Sequence, residues 1–324
     1  MERRTLTTVE VSRGTTHDGP GIRTTVFVKG CPLSCSWCQN PESINPKQEI
    51  WYEPAKCIGC MECAGACKYG ALSGGGDGIA IDRAKCIGCC ECAAVCPAKA
   101  MSAVGTVWTV DGLLREVLKD KHYYDEFGGG VTVSGGEPLL HSGFLTEFFD
   151  GLRTAGVHIA LDTCGCAPRK TLTELASRAD AALYDIKLAD PAKHKELTGR
   201  DNGLILGNFC AVAELARQIK TDGGRCMQLW VRTPLIPGVT DTDSNIRDIA
   251  DFLLENAADV LERWELCAFN RACVAKYAKM QLPWPYEGLG MMLQRDIDRI
   301  KALAVSRGFP PEKLITTGLV KQEK

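Results

Sequence analysis

The sequence predicts an α/β protein: a mostly parallel sheet of about six strands, short of a closed barrel, with a small cysteine-rich unit inserted after the first strand. Three observations predict it. From residue 105 onward, strand and helix patterns alternate, which implies βαβ units and a parallel sheet. Polar, glycine-rich stretches (SGGEP, DTCG, DIKLAD, RTPLIPG) follow successive strand ends. Residues 51–104 lack long periodic segments but hold a near-repeat, AKCIGCMECAGAC (55–67) against AKCIGCCECAAVC (84–96), the mark of a pseudo-symmetric unit. The expected division is 1–50 with 105–324 for the larger domain and 51–104 for the insert.

Each element has its own signal. TTVFVKG (24–30) is a β-rich run leading into the first cysteines. GVTVSG (130–135), VHIALDT (157–163), AALYDIK (181–187), CMQLWVR (226–232) and RWELCAF (263–269) are short apolar runs bounded by turn residues, as buried parallel strands are. Helical patterns fall near 111–121, 142–155, 170–178, 208–220, 243–257 and 290–307. Six strands are fewer than the eight of a complete barrel, and in such architectures the site sits at the carboxyl ends of the strands.

Composition narrows the function. The 324 residues suit about two domains. With 38 Lys+Arg against 40 Asp+Glu, no general electrostatic case exists for nucleic acid or an anionic membrane. No apolar run of about 18 residues suggests a spanning helix, and the opening MERRTLTTVEV lacks a signal-peptide core. Cysteine is the outlier, 18 in all, 12 of them before residue 97. In a long, unsignalled chain, expected in the cytoplasm, such clusters hold metal or do redox chemistry.

Cys31, Cys35 and Cys38 form C-x3-C-x2-C in GCPLSCSWCQNPES. Three thiolates on one loop can hold three corners of a 4Fe–4S cube, leaving one iron open to a substrate. The alternative is structural zinc, which wants a fourth ligand that no neighbour supplies. Cys57, Cys60, Cys63 and Cys67 form C-x2-C-x2-C-x3-C, and Cys86, Cys89, Cys92 and Cys96 repeat it before Pro97. This is the bacterial two-cluster ferredoxin run, in which the fourth Cys serves the other cluster. The expected sets are Cys57, Cys60, Cys63, Cys96 and Cys86, Cys89, Cys92, Cys67, with zinc as the runner-up metal. Lys68 replaces the proline after Cys67, and Cys90 is a spare thiol. Fully ligated clusters point to electron transfer or structure.

With DGPGIR (18–23), GCPLSCSWCQNPES (30–43), GGVTVSGGEPLL (129–140), DTCG (162–165), YDIKLAD (184–190) and RTPLIPGVTD (232–241), the chain resembles the glycyl radical enzyme activating enzymes of the radical S-adenosylmethionine superfamily. It is similar to their longer type, which carries a two-cluster insert. Taken singly, GGEP and DGPGIR are ordinary turn chemistry; their order at matching strand ends is what carries the resemblance. The resemblance implies a partial (β/α)6 radical S-adenosylmethionine barrel with an inserted ferredoxin-like domain. It implies three 4Fe–4S clusters, S-adenosylmethionine as cosubstrate and hydrogen abstraction from a glycine of a partner glycyl radical enzyme. A flavodoxin or ferredoxin-type reductant would supply the electron.

The roles it implies are these. Cys31, Cys35 and Cys38 hold the open cluster. Trp37, Gln39, Gly135, Gly136, Glu137, Asp185, Lys187, Arg232 and Asn270 contact S-adenosylmethionine, with the two glycines allowing close backbone approach and Lys187 neutralising the ligand carboxylate. Asp162, Thr163 and Asp185 hold a monovalent cation, or form an acidic site helped by Lys187. Asp18, Gly19, Pro20 and Gly21 meet the partner's glycyl loop. The chain departs from the family where AFNRAC (268–273) puts Asn270 in place of a histidine. His17, His122, His141, His158 and His194 are expected to be ordinary polar residues, and Cys164, Cys166, Cys210, Cys226, Cys267 and Cys273 have no cluster spacing. Two other readings compete: a radical enzyme acting on a small molecule, and a ferredoxin-like electron carrier that leaves Cys31, Cys35, Cys38 and SGGEP unexplained.

Overall fold

The structure, a computed structural model, describes residues 4–75, 78–223 and 226–322. One nine-stranded open sheet organises it. Its parallel stretch runs β2 (Arg23–Val28), β8 (Gly130–Gly135), β9 (His158–Thr163), β10 (Ala181–Asp185), β11 (Gln228–Leu235), β12 (Leu261–Ala268) and β13 (Leu314–Thr317). The six parallel strands foreseen from sequence all form, and β13 adds a short seventh. Beyond β2, the antiparallel β1 (Thr5–Thr15) and β7 (Thr106–Thr109) complete the sheet. Both escaped sequence reading because their mixed Thr, Val and charged residues give only a partial alternation, with Leu6 and Thr8 turned inward.

The crossovers are helical. α5 (Ser142–Thr154) buries Phe144, Leu145, Phe148, Phe149 and Leu152 against the sheet, the one-sided apolar stripe of an amphipathic helix. α6 (Arg169–Ala176), α8 (Gly203–Thr221), α9 (Asp243–Ala257) and α11 (Gln294–Ser306) stand where periodicity placed them. The helix expected over 111–121 is α3 (Val110–Val117), which passes through a short 3-10 turn into α4 (Lys121–Phe127). α7 (Pro191–Thr198) and α10 (Val274–Met280) were not anticipated; each is short and lacks a long apolar period. Among the described residues no helix is long and apolar enough to cross a membrane.

The cysteine-rich segment is closed at its base by an antiparallel ribbon, β3 (Glu49–Tyr52) on β6 (Met101–Val104). Within it lie β4 (Leu72–Gly75), β5 (Gly78–Ile81) and two one-turn helices, α1 (Glu62–Ala66) and α2 (Glu91–Ala94). It has its own small core of Ile50, Tyr52, Ile79, Ile81, Cys63, Cys92 and Met101. Met61 and Cys90, just before the two helices, both take the left-handed backbone, φ 61° and 62°, so the repeat extends to backbone conformation.

Arg23, the last residue of DGPGIR, is fully buried. Its guanidinium donates to Thr132 Oγ1 (2.6 Å), the Val131 carbonyl (2.8 Å), the Pro20 carbonyl (2.9 Å) and the His158 carbonyl (3.3 Å). It fastens the turn to β8 and β9. Burial lowers its pKa to about 10, so it stays charged at neutral pH. Replacing it with Met should leave buried acceptors unpaired and cost about 3 kcal/mol or more, read as a lower midpoint in chemical denaturation. An unchanged midpoint would show that this clasp is not structural.

Candidate active site

Six of the parallel strands, β2 and β8 to β12, point their carboxyl ends at one open cleft. Residues from both flanks of the parallel stretch, Phe27 of β2 and Cys267 of β12, line it, so the sheet curls around it. The cleft gathers Cys31, Cys35, Cys38, Trp37 and Gln39 from the first loop with Gly135, Gly136, Asp162, Thr163, Asp185, Lys187, Arg232 and Asp18. Sequence reasoning had placed all of these at a site.

The cysteine loop is held from several sides. Gly30 N–H donates to Ser43 O (2.7 Å), Cys31 N–H to Ile44 O (3.0 Å), and Ser34 and Ser36 N–H to Thr198 O and Leu197 O (2.8 and 2.9 Å). Glu137 N–H donates to Gly30 O at 2.7 Å. Its own backbone is thus spent on neighbours, and the thiols face the cleft. Burial pushes the Cys35 thiol up to about 11 and raises Cys38 as well. A hydrogen bond with Cys164 draws Cys31 down. Iron would reverse the burial effect, because a bound cation deprotonates a coordinating thiol.

The expected positions divide in instructive ways. The Gly135 and Gly136 glycines are demanded by protein rather than by a ligand. A Cβ on Gly135 (φ +106°) would lie 2.3 Å from Val28 N, and one on Gly136 would lie 2.1 Å from Gly30 O. Glu137 is fully buried and lines no cleft wall. Its carboxylate accepts from Thr163 Oγ1 (2.6 Å), Cys164 N–H (2.9 Å) and Leu139 N–H (3.1 Å). It positions the loop after β9 and does not reach the cleft. Asn270 also lies outside the lining; its side chain accepts from Ala272 N–H (3.0 Å) in a local turn, and its carbonyl takes Gln39 Nε2 (3.4 Å). None of the five histidines lines the cleft.

The charges are set by strand register. Asp185 on β10 lies opposite Arg232 on β11, and Arg232 opposite Glu265 on β12. Arg232 reaches Asp162 at 3.1 Å, Glu265 at 3.6 Å and Asp18 at 4.0 Å. Ser134 donates to Asp162 at 2.6 Å, while burial raises that carboxyl to about 6. Lys187 pairs with Asp185. Arg232 and Lys187 thus stand among the carboxylates expected to hold a monovalent cation or to form an acidic site helped by Lys187, and Thr163 Oγ1 donates to Glu137. Among the described residues no three His, Cys, Asp or Glu side chains converge on a single-ion site. Glu265, Ser134, Cys164 and Cys267 were missed as site residues. Ser134 and Cys164 had a signal, since they lie within SGGEP and DTCG; Glu265 had none until the sheet set it beside Arg232.

In the insert, two small cavities sort the thiols. One touches Cys57, Cys60, Cys63 and Cys96; the other touches Cys67, Cys86, Cys89 and Cys92, with the spare thiol Cys90 beside them. Each combines three cysteines of one run with the fourth of the other.

The family comparisons agree. The model of a 4Fe-4S single cluster domain matches residues 17–76, and that of a 4Fe-4S binding domain matches 79–102. The chain is 37% identical over 304 residues to the trans-4-hydroxy-L-proline dehydratase activating enzyme of Clostridioides difficile, covering 93% of this chain and 96% of that one. It is 42% identical over 257 residues to the indoleacetate decarboxylase activating enzyme of Tractidigestivibacter scatoligenes, covering 76% and 78%. The chain belongs to the glycyl radical enzyme activating enzymes. A solved radical SAM methyltransferase from Sphaerobacter thermophilus shares the fold of this activating enzyme, with TM-score 0.52 and 15% identity over 98% of this chain and 73% of that one. Membership of that family, with the two matched 4Fe-4S domains, makes the chain a radical S-adenosylmethionine enzyme that uses 4Fe–4S chemistry.

Glu137 offers a test of the positioning role. Glu137→Ala should leave three buried donors unpaired, at about 1–3 kcal/mol each. Thermal denaturation should fall sharply, with Glu137→Gln milder. Wild-type melting of the Ala variant would show that the loop after β9 holds itself.

Proposed function

We propose that this activating enzyme carries three 4Fe–4S clusters, an open one on Cys31, Cys35 and Cys38 and two closed ones in a 51–104 insert domain. The closed sets are Cys57, Cys60, Cys63, Cys96 and Cys86, Cys89, Cys92, Cys67. The observation that carries the proposal is the sorting of eight insert thiols into two crossed sets of four, beside a separate cleft entered by a three-cysteine loop. When bound, the reduced open cluster and S-adenosylmethionine supply a 5′-deoxyadenosyl radical that takes a hydrogen atom from a glycine of the partner protein.

The chain's own residues bind, orient and enclose. Asp162 and Asp185 line the cleft against Arg232 and Lys187, with Glu265 behind Arg232. Carboxylates outnumber cations, which suits a ligand whose sulfonium and ammonium outweigh its one carboxylate. Arg232 and Lys187 keep that carboxylate from being repelled. Trp37, only 4% exposed, gives the adenine an apolar border, and Gln39 is steadied by the Asn270 carbonyl. Asp18 is held in place by Thr25 Oγ1 at 3.0 Å, and its carbonyl by Thr132 Oγ1 at 2.6 Å. That turn is our candidate contact for the partner's glycyl loop, although Gly21 is a glycine for a packing reason, since a Cβ there would lie 2.4 Å from Gly128 O. The partner is a glycyl radical lyase, decarboxylase or dehydratase, the electron donor is a flavodoxin or ferredoxin, and the setting is the cytoplasm.

Anaerobic reconstitution should give about 12 iron per chain; about four would sink the insert clusters. Cys35→Ala should abolish 5′-deoxyadenosine formation, whereas Cys60→Ala should retain some with a strong artificial reductant. With the cognate partner, electron paramagnetic resonance should show a glycine-centred doublet. Asp18→Ala should weaken that signal roughly 10-fold or more, the equivalent of one charge-assisted hydrogen bond, while sparing partner-free cleavage. Equal loss of both would reassign Asp18 to the cluster loop.

A further inference from the structure

The two cysteine runs are near-repeats, yet they meet different surroundings. Gly59 and Gly88 hold matching places in AKCIGC (55–60) and AKCIGC (84–89), and both take the left-handed backbone, φ +71° and +74°. A Cβ on Gly59 would meet nothing within 4 Å, whereas one on Gly88 would lie 1.9 Å from the Gln48 carbonyl oxygen. The second loop is seated on main chain; the first stands in open space. Cys60 and Cys89 are both exposed, so cysteine exposure alone does not rank the two runs. Their neighbours do: Ile58 is 69% exposed and Ile87 50%.

Gln48 lies on the segment that descends from the cysteine loop of the active site. That segment begins where Ile44 O accepts from Cys31 N–H (3.0 Å), and its Glu49 takes the buried Lys29 ammonium at 3.0 Å. Two adjoining cavities follow the same line. One touches Cys35, the other Cys86 and Ile87, and both touch Asn45, Glu49, Met280 and Leu282. α10 and the turn after it make a second joint. Tyr277 donates to the Cys38 carbonyl at 3.1 Å. Gln281 accepts from Ile81 N–H (3.1 Å) and donates to Ile79 O (2.8 Å), and Arg83 donates to Met280 O (2.9 Å). The strand that leads into the second run is thus pinned to the element that touches the site loop.

We propose that the Cys67, Cys86, Cys89, Cys92 side of the insert is the inner relay, coupled to the active site through the Gly88–Gln48 contact. The Cys57, Cys60, Cys63, Cys96 side is then the outer one, where a flavodoxin- or ferredoxin-type donor delivers its electron beside Ile58. This rests on the reading that both runs hold 4Fe–4S clusters. One electron leaves the donor, which is oxidised by one equivalent. It crosses the outer and then the inner side without net change in either. It is consumed at the active site in breaking one C–S bond of S-adenosylmethionine.

Gly88→Ala and Gly59→Ala form a matched pair, since both incur the same left-handed strain and only the first meets Gln48. Iron is measured first; a wild-type value near four per chain in place of about 12 refutes the insert clusters and not the order of relays. Loaded proteins are then mixed anaerobically with a purified flavodoxin hydroquinone, without S-adenosylmethionine. Stopped-flow absorbance and freeze-quench electron paramagnetic resonance follow the reduction. Gly88→Ala should keep fast insert reduction and slow reduction of the site cluster about tenfold, with Gly59→Ala within about twofold of wild type in both phases. Ile58→Glu should slow the first phase about tenfold and Ile87→Glu hardly at all. If Gly88→Ala fails to load iron, Gln281→Ala, which touches no cysteine loop, must show the delayed second phase. Equal effects of the two glycine variants, the opposite ranking of Ile58 and Ile87, a Gln281→Ala protein without delay, or site reduction preceding the insert would each overturn the order.

Discussion

The register between β10, β11 and β12 is the constraint on which the site depends. It sets Asp185, Arg232 and Glu265 in one row across three parallel strands. Side chains alternate faces along a strand, so a slip of one residue would send Arg232 away from the cleft. Register is enforced by what lies between the charges. Leu183, Tyr184, Leu229, Trp230 and Val231 are almost completely buried, on both faces of the sheet, and any slip would exchange the cores they pack into. The apolar interior thereby fixes a polar geometry it never touches. The row itself is not a source of stability. Desolvating a guanidinium and its carboxylates costs about as much as their attraction returns. Burial raises Glu265 and Asp162 for the same reason. The hydrophobic sheet carries the expense of holding these charges at the cleft.

Close backbone packing supplies the second part of the frame. β8 ends on Gly135 and Gly136 follows it, each too close to β2 or its following loop to carry a side chain. Glu137 then turns inward to hold β9's end. The GGEP stretch is therefore a joint between strands, and the cysteine loop hangs from it through the Gly30 carbonyl. A ligand in the cleft benefits because the joint fixes both of its walls.

Much of this was legible in the sequence, for physical reasons. Buried parallel strands announce themselves as unbroken apolar runs, and the grouping of the cysteines by spacing alone. The cleft-facing Asp162, Asp185, Lys187 and Arg232 were legible because they stand at strand ends. The rest depended on three-dimensional neighbours. Glu265 and Ser134 matter through what stands beside them in the sheet. Glu137 looked like a ligand contact because its motif abuts the site, yet three buried donors claim its carboxylate. β13 is four residues long, too short for any period to register. α10 lacks an amphipathic stripe because its partners are carbonyls, an indole face and salt bridges: Lys279 lies 4.9 Å over Trp51, and Lys276 reaches Glu42 at 2.7 Å.

That last group shows how a repeat can lose its symmetry without changing its sequence. The two runs share AKCIGC, the left-handed glycine and the one-turn helix that follows. An internal duplication offers equivalent surfaces, but a single chain can press only one of them against the strand that leads to the cysteine loop. Gln48 sits one residue before β3, whose pairing with β6 closes the insert. The contact at Gly88 is therefore set by the same ribbon that holds the insert to the barrel. Any movement of the insert relative to the site loop must break that contact or carry Gln48 with it. The glycine that lets the loop turn is also the one that lets it approach. Its twin at position 59 keeps the turn and has nothing to approach, so the asymmetry arises from the surroundings and not from the repeat.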